Sequence, residues 1–326
     1  ISFQKSQRVQ SNKFRCRSNS QYIEEKMVYQ LGEEKVDFNN ILGEIKSSYP
    51  NEDISLLYKR LNTDGYLCLR QLIPQSEILN ARKIFYEYLN NQEIFTDDST
   101  IEEPKSENGS CFFGGKKEIT HHPEFIKILE HPNSFDFFAK LFEEPARTYD
   151  YKWVRSVGKN NYGTEAHMDV VYMGRGSKNL LTMWIPVGKV TKDNGPMVVL
   201  DKSHNHPNLK KIRDTYGRMD VDKDLIKGGW FTNNYSELSR LTKTKWLVGD
   251  YDPGDVLIVN IYTFHGSLRN NSDKVRFTCD VRFQPESDSI DNRWIGENPI
   301  AHRDWWKGDK EGKNIEIEKA RESWGV

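Results

Sequence analysis

No stretch of this 326-residue chain approaches the roughly 18 uninterrupted apolar residues that a membrane-spanning helix needs. The richest run, Val256 to Tyr262, is only of strand length and is broken by Asn260. Charge of one sign is equally scarce, with 47 basic side chains against 48 acidic ones. Such a balance gives no field that would gather nucleic acid or anionic lipid, so the expected partner is a small molecule. Cysteine appears four times (Cys16, Cys68, Cys111, Cys279), never with CxxC spacing. This argues against a zinc ribbon and a disulfide framework and reads as reduced thiols. No internal repeat or low-complexity linker divides the chain.

Acidic residues are missing altogether from Ile1 to Ser20, which carries five basic residues and five serines. Residues 1–23 are therefore expected as a basic tail, either disordered or of the transit-peptide type that addresses a plastid or mitochondrion. Residues 24–326 are expected as one soluble intracellular domain. Its first part, from Glu24 to about Tyr58, reads as mixed and helical, with Leu56, Leu57 and Leu61 at helix spacing. Asp64-Gly65 turns into the short strand Tyr66 to Leu69, and Pro74 opens a helix with Ile78, Ala81, Phe85 and Leu89 on one side. Residues 93–120 read as a loop, and Pro132 splits the helical stretch Glu124 to Phe142 in two.

Beyond Pro145 the texture changes to short strands separated by turns such as Asp193-Asn194-Gly195 and Pro253-Gly254-Asp255. The pattern predicts a mainly β fold, a double-stranded β-helix (jelly roll, cupin-like) buttressed by the N-terminal helices. A polar insert, residues 201–245, is expected to act as a lid.

The chemistry-bearing residues are His167-Met168-Asp169 and the distant His265. On a strand, side chains two apart share a face, so His167 and Asp169 can reach one metal ion together, with His265 closing the site. Two imidazoles and a carboxylate on one side of an ion leave the opposite positions open, which suits non-haem Fe(II) handling O2 and a chelating co-substrate. An HxD alone also occurs as a plain polar pair on a surface strand. Here Pro253-Gly254-Asp255 leads into an apolar strand that delivers His265 at its end, and Arg276 follows on the next candidate strand. A guanidinium there can grip the far end of a dicarboxylate whose near end chelates the metal, or can form an ordinary strand salt bridge.

With these motifs the chain resembles the phytanoyl-CoA dioxygenase family of Fe(II)- and 2-oxoglutarate-dependent oxygenases, from about Asp64-Gly65-Tyr66 to about Pro285. The matching residues are His167-Met168-Asp169, Trp184, Asp193-Asn194-Gly195-Pro196 through Leu200 to Ser203-His204, and Pro253-Gly254-Asp255 through His265-Gly266-Ser267 to Arg276. The resemblance implies that His167, Asp169 and His265 hold Fe(II), and that Arg276, Ser267 and Trp184 contact 2-oxoglutarate. It also implies that O2 is consumed with release of succinate and carbon dioxide while an unactivated C–H bond is oxidised. Related halogenases carry a small residue where Asp169 stands, which disfavours halogenation. The family's usual Gln between the first two ligands is Met168 here, and its usual Pro-Gly before Ser-His is Asp201-Lys202. Hydroxylation is the expected outcome; oxidative cyclisation of the kainoid kind, desaturation, or a metal-binding jelly roll without turnover are the alternatives.

Tyr172, expected on the strand that carries the first two ligands, and Arg175, Trp230 and Phe231 are candidates for the substrate pocket, with core packing or exposed loop as the competing reading. Trp184 can equally be a core aromatic. His204 and His206 read as a structural turn, His121-His122 as a helix entry, and His131 and His302 as residues without partners. Trp305-Trp306 reads as a pin for the C-terminal tail.

Overall fold

In the computed structural model of the chain, residues 28–37, 40–107, 109–161, 163–302 and 315–326 are described; the tail at 1–23 and Trp305-Trp306 lie outside them. Where a helical stretch was expected before Tyr58, the chain instead forms the hairpin Val28–Leu31 with Glu34–Asp37 and the short strands Leu42–Glu44 and Ser47–Ser48. Tyr29, Leu31 and Val36 alternate with exposed or half-exposed neighbours, a period of two that marks strand. Gly32 at φ +55° makes the turn between them. The helix proper begins at Ile54, where the Asp53 carboxylate accepts from the Ser55 and Leu56 amides.

Pro132 does divide its helical stretch, giving Pro123–Leu129 and Pro132–Phe142. Each opens with a His-Pro pair in which the imidazole Nδ1 accepts from a backbone amide, His122 from Glu124 and His131 from Asn133. His206 does the same for Asn208 ahead of Pro207. These imidazoles cap helical turns, which accounts for His122, His131 and His206 without any ligand.

The strands form a jelly roll. One eight-stranded sheet runs in the order Ser47–Ser48, Tyr66–Leu69, Val256–Asn260, Leu181–Pro186, Arg276–Pro285, Trp153–Val157, Cys111–Phe112, with Ala146–Thr148 pairing on the far end of Arg276–Pro285. A four-stranded sheet runs His265–Ser267, Met197–Leu200, Trp246–Val248, Leu42–Glu44. Helices Ile54–Asp64, Gln75–Asn90, Pro123–Leu129 and Pro132–Phe142 cover the outer face of the large sheet, sealing Phe277, Cys279, Val281 and Phe283 under Phe85, Phe125 and Phe138.

Between the sheets one part of the interior is apolar, packed by Tyr66, Cys68, Leu257 and Val259 against Val199, Leu247 and Tyr251. The remainder carries polar side chains around an open space. Residues 201–245 are no simple polar flap: they form the short helices Lys210–Asp214 and Tyr235–Thr242, and their Leu209, Ile212, Tyr216, Phe231 and Leu238 join the core.

Candidate active site

His167 and His265, far apart in sequence, meet as an antiparallel bridge in which each backbone amide donates to the other's carbonyl, both at 3.0 Å. Their rings lie 4.2 Å apart. His265 is held from behind by motif residues: Ser203 Oγ accepts from the Phe264 amide at 2.8 Å, and Thr263 Oγ1 donates to the Gly65 carbonyl at 2.7 Å. His204, whose Nε2 lies 2.9 Å from the Asn62 carbonyl, braces the same corner. At the other end of the preceding strand Asp255 ties its turn to Arg70 at 2.7 Å and to the Gln71 amide at 3.0 Å. A side chain at Gly254 (φ +103°) would collide with the Ile73 carbonyl.

Asp169 reaches the two histidines by a different route from the one predicted. The strand expected over Ala166 to Tyr172 is only the isolated bridges at Ala166 and His167, and at Asp169 the backbone turns helical (φ −62°, ψ −22°) into the short helix Val170–Met173. The cause is tertiary: the Val170 amide donates to the Ile261 carbonyl, while the Tyr172 and Met173 amides turn back onto the Asp169 carbonyl. The carboxylate still arrives, with Oδ1 at 3.5 Å from His167 Nε2 and 3.7 Å from His265 Nε2.

The donor set fits a divalent metal. One ligand atom from each of the three buried side chains falls within 4.8 Å of the others. His167 Nδ1 lies 2.7 Å from the Glu165 carbonyl and His265 Nδ1 3.0 Å from the Thr263 carbonyl. A carbonyl cannot donate, so each Nδ1 carries the proton and each Nε2 lone pair faces the common point. Burial and the neighbouring His167 push the His265 imidazole down to about 4, which keeps it neutral and able to ligate. Burial works against ionising Asp169, but the Arg282 guanidinium beside it holds its carboxyl well below the usual carboxylate range. Its outer oxygen accepts from Thr182 Oγ1 and lies 3.6 Å from Arg282 Nη2, leaving Oδ1 for the metal.

This cluster opens into a cavity of about 700 Å³. Arg276 lines it, 4% exposed, with Nε and Nη1 buried and unbonded among the described residues. Burial, with the added repulsion of Arg155, pushes its guanidinium down to about 9. A buried cation without an acceptor is costly, so the site is built for an anion. Ser267 stands beside it: a Cβ built on Gly163 would meet Ser267 Oγ at 2.5 Å and Arg276 Nη2 at 2.8 Å. Trp184 packs edge-on against Tyr251 as a core aromatic does, and it lines the cavity as well.

The four substrate candidates divide. Trp230 and Tyr172 line the cavity, but Tyr172 does so from the short helix rather than a strand, its hydroxyl donating to the Gly228 carbonyl at 2.9 Å. Arg175 is turned away into a bidentate pair with Asp220 at 2.6 and 2.8 Å, and Asp222 lies close behind, so two acids draw it off the cavity. Phe231 is fully buried against Tyr216 and Phe264, because alternation along the chain points it opposite to Trp230.

Sequence reasoning missed the polar inner side of Arg276–Pro285. Arg276, Thr278, Asp280 and Arg282 all line the cavity while the residues between them face the helices, and that alternation was readable. It also missed Arg155, Thr182 and Trp153, which register places opposite Thr278, Arg282 and Asp280. His302 is not without partners: its ring nitrogen lies 3.3 Å from Asp222, and its ring meets Tyr172 and Trp294 at the cavity wall.

Comparison with known proteins points the same way. The family model described as phytanoyl-CoA dioxygenase (PhyH) matches residues 61–278, well over half of the chain. The chain is 24% identical over 196 residues to a 1-deoxypentalenic acid 11-beta-hydroxylase of Streptomyces arenae, covering 57% of this chain and 66% of that enzyme, just under two-thirds of its length. The enzyme of the same name from Streptomyces exfoliatus is 24% identical over 208 residues, covering 60% of this chain and 70% of that one. Among solved structures, the epimerase SnoN in complex with Fe3+, alpha ketoglutarate and nogalamycin RO superposes with a TM-score of 0.53 at 14% identity, covering 80% of this chain and 91% of that chain. EctD from S. alaskensis superposes with a TM-score of 0.53 at 18% identity, covering 85% and 92%. At such identities the structural likeness establishes the fold.

Proposed function

Because the chain belongs to the phytanoyl-CoA dioxygenase family of Fe(II)- and 2-oxoglutarate-dependent oxygenases, we propose that it hydroxylates an unactivated C–H bond of a small organic molecule. The observation that carries this reading is one cavity holding both a two-histidine, one-carboxylate cluster and a buried guanidinium whose Nε and Nη1 have no acceptor among the described residues. His167, Asp169 and His265, which line the cavity together, would hold Fe(II) there. Arg276, Ser267 and the unbonded hydroxyl of Thr278 would take the distal carboxylate of 2-oxoglutarate, with Trp184 beside it.

Bound Fe(II), with 2-oxoglutarate and O2, supplies an oxidant able to remove hydrogen from an aliphatic carbon while 2-oxoglutarate leaves as succinate and carbon dioxide. The chain's own share is positional. Thr182 and Arg282 fix the Asp169 carboxylate, the Glu165 and Thr263 carbonyls fix the two imidazole tautomers, and aromatic walls keep water from the reacting centre. Two curated relatives are hydroxylases by name, which favours hydroxylation over ring closure or desaturation.

The test is succinate release with Fe(II), O2 and 2-oxoglutarate in the presence of a metabolite extract, followed by the mass of the product. Hydroxylation adds one oxygen atom, derived from labelled O2, whereas cyclisation or desaturation removes two hydrogens. No succinate from folded, iron-loaded protein would leave a binding module in place of an enzyme.

A further inference from the structure

Three arginines line the cavity, and only two have a role in holding the metal ligand or the co-substrate. Arg282 is neutralised: its guanidinium pairs with Asp280, lies 3.6 Å from Asp169, and stacks over Trp153 at 3.9 Å. Arg276 is committed to 2-oxoglutarate by the proposed oxygenase function, on which a role for the third arginine also rests. Arg155 remains. It stands on Trp153–Val157, opposite Thr278 in register and therefore on the same inner face as Arg276 and Asp280.

Its one ion pair among the described residues is a loose contact, Nε to Asp280 Oδ1 at 3.6 Å, and the other oxygen of Asp280 is taken by Arg282. The guanidinium makes no hydrogen bond among the described residues, its Nε is buried, and its Cζ lies over the ring of Phe112, 5.3 Å from the ring centre. The side chain is 28% exposed, against 5% for Asp280, which sets it toward the open side of the cavity. One 2-oxoglutarate satisfies one such cation; the second asks for an anion of its own. Around it the walls are aromatic, from Phe112, Tyr151, Trp153, Trp230 and Trp294.

We propose that the substrate is an apolar organic acid whose carboxylate is gripped by Arg155 while its carbon frame lies on these aromatic rings and presents a C–H bond to the metal-facing side. Arg155 is thus a specificity residue for the substrate, distinct from the co-substrate anchor Arg276.

The experiment uses the whole chain and pairs of probes: alicyclic and aromatic monocarboxylic acids, each with its methyl ester. Four tryptophans, Trp153, Trp184, Trp230 and Trp294, line the cavity, so binding is read from quenching of intrinsic fluorescence without turnover. In the native protein at least one acid should bind about tenfold to a hundredfold tighter than its ester. Arg155→Gln should erase that preference and Arg155→Lys restore part of it, while 2-oxoglutarate binding, followed by anaerobic calorimetry with Fe(II), stays within about twofold. Acids that bind no better than their esters, a panel in which no acid binds, or a preference that survives in Arg155→Gln would each overturn the assignment. So would a loss of 2-oxoglutarate affinity in Arg155→Gln with acid binding unchanged, since Arg155 would then serve the co-substrate. Failure of the oxygenase reading looks different: acids are still selected by Arg155, but neither 2-oxoglutarate binding nor succinate appears.

Discussion

The closest approach to Arg276 and Ser267 is made by a residue with no side chain. Gly163 sits where a Cβ would lie 2.5 Å from Ser267 Oγ, 2.8 Å from Arg276 Nη2 and 2.9 Å from Ser267 Cβ. All three are closer than carbon tolerates, and Arg276 and Ser267, buried at 4% and 5% exposure, have little room to retreat. Gly163→Ala should therefore push Ser267 and the Arg276 fork out of alignment. Loss of one charge-assisted hydrogen bond to the distal carboxylate is worth about 1.5–3 kcal/mol, or about tenfold to a hundredfold in 2-oxoglutarate affinity. The backbone gives no competing reason for damage, since Gly163 is not in the left-handed region, and removing a glycine there tends to stabilise the fold by ~0.4–1 kcal/mol through the unfolded chain. Melting temperature should fall by no more than a few degrees, because that gain offsets part of the ~1–3 kcal/mol that overpacking costs, and Fe(II) affinity should hold, while the KM for 2-oxoglutarate rises and kcat at saturation changes little. Gly163→Val should exaggerate the effect. An unchanged KM in Gly163→Ala, with the fold intact, would refute the placement of the distal carboxylate between Arg276 and Ser267.

Arg276→Met removes a buried cation that has no acceptor until a ligand arrives, so the ligand-free protein should melt a few degrees higher; in the native chain 2-oxoglutarate at about a hundred times its Kd adds ~2.7 kcal/mol, and that thermal shift should vanish in the variant. Thr182→Val strips the hydroxyl that orients the outer oxygen of Asp169 and should weaken Fe(II) binding about tenfold to a hundredfold in anaerobic calorimetry without lowering the melting temperature. The neighbours Trp230 and Phe231 should separate cleanly. Phe231→Ala should cost about 3–5 kcal/mol in denaturant unfolding, as a core aromatic does, whereas Trp230→Ala should leave stability nearly intact and raise the KM for substrate.

The metal ligands were legible as residue types long before their geometry was. His265 announces itself because a turn, an apolar strand and a terminal histidine stand in sequence order, and local chemistry alone builds that unit. His167 and Asp169 were paired for a reason the fold does not use. Val170-Val171 favours an extended chain locally, yet the hydrogen bond from Val170 to the Ile261 carbonyl bends the backbone into a helical turn, and the shared face arises from that turn. The hairpin at residues 28–37 was missed because its buried residues are few and its partner contacts distant: Leu31 bridges to Leu268, and Ser236 donates to Glu34. His302 owes its place to Asp222 and Arg175 its diversion to Asp220, contacts that no window of sequence contains.

The strand Arg276–Pro285 explains why fold and site are one problem here. All ten of its residues are buried, so at first sight it reads as a core strand, and half of it is: Phe277, Cys279, Val281 and Phe283 fasten the helices to the sheet. The other half carries two arginines, an aspartate and a threonine on the inner face. Burying that many polar groups costs more than a jelly roll alone would bear unless each has a counterpart. Arg282 pairs with Asp280 and lies 3.6 Å from Asp169, which gives each of the three a counter-charge. Arg276 and Thr278 keep buried polar atoms without partners among the described residues, so the apolar side of the strand offsets a polar side that the proposed dicarboxylate would complete. A one-residue slip of this strand would exchange the two sides, placing Phe277 in the cavity and Arg276 under the helices. The register of this strand with Trp153–Val157 on one side and Leu181–Pro186 on the other therefore sets the lining of the pocket as firmly as it sets the fold.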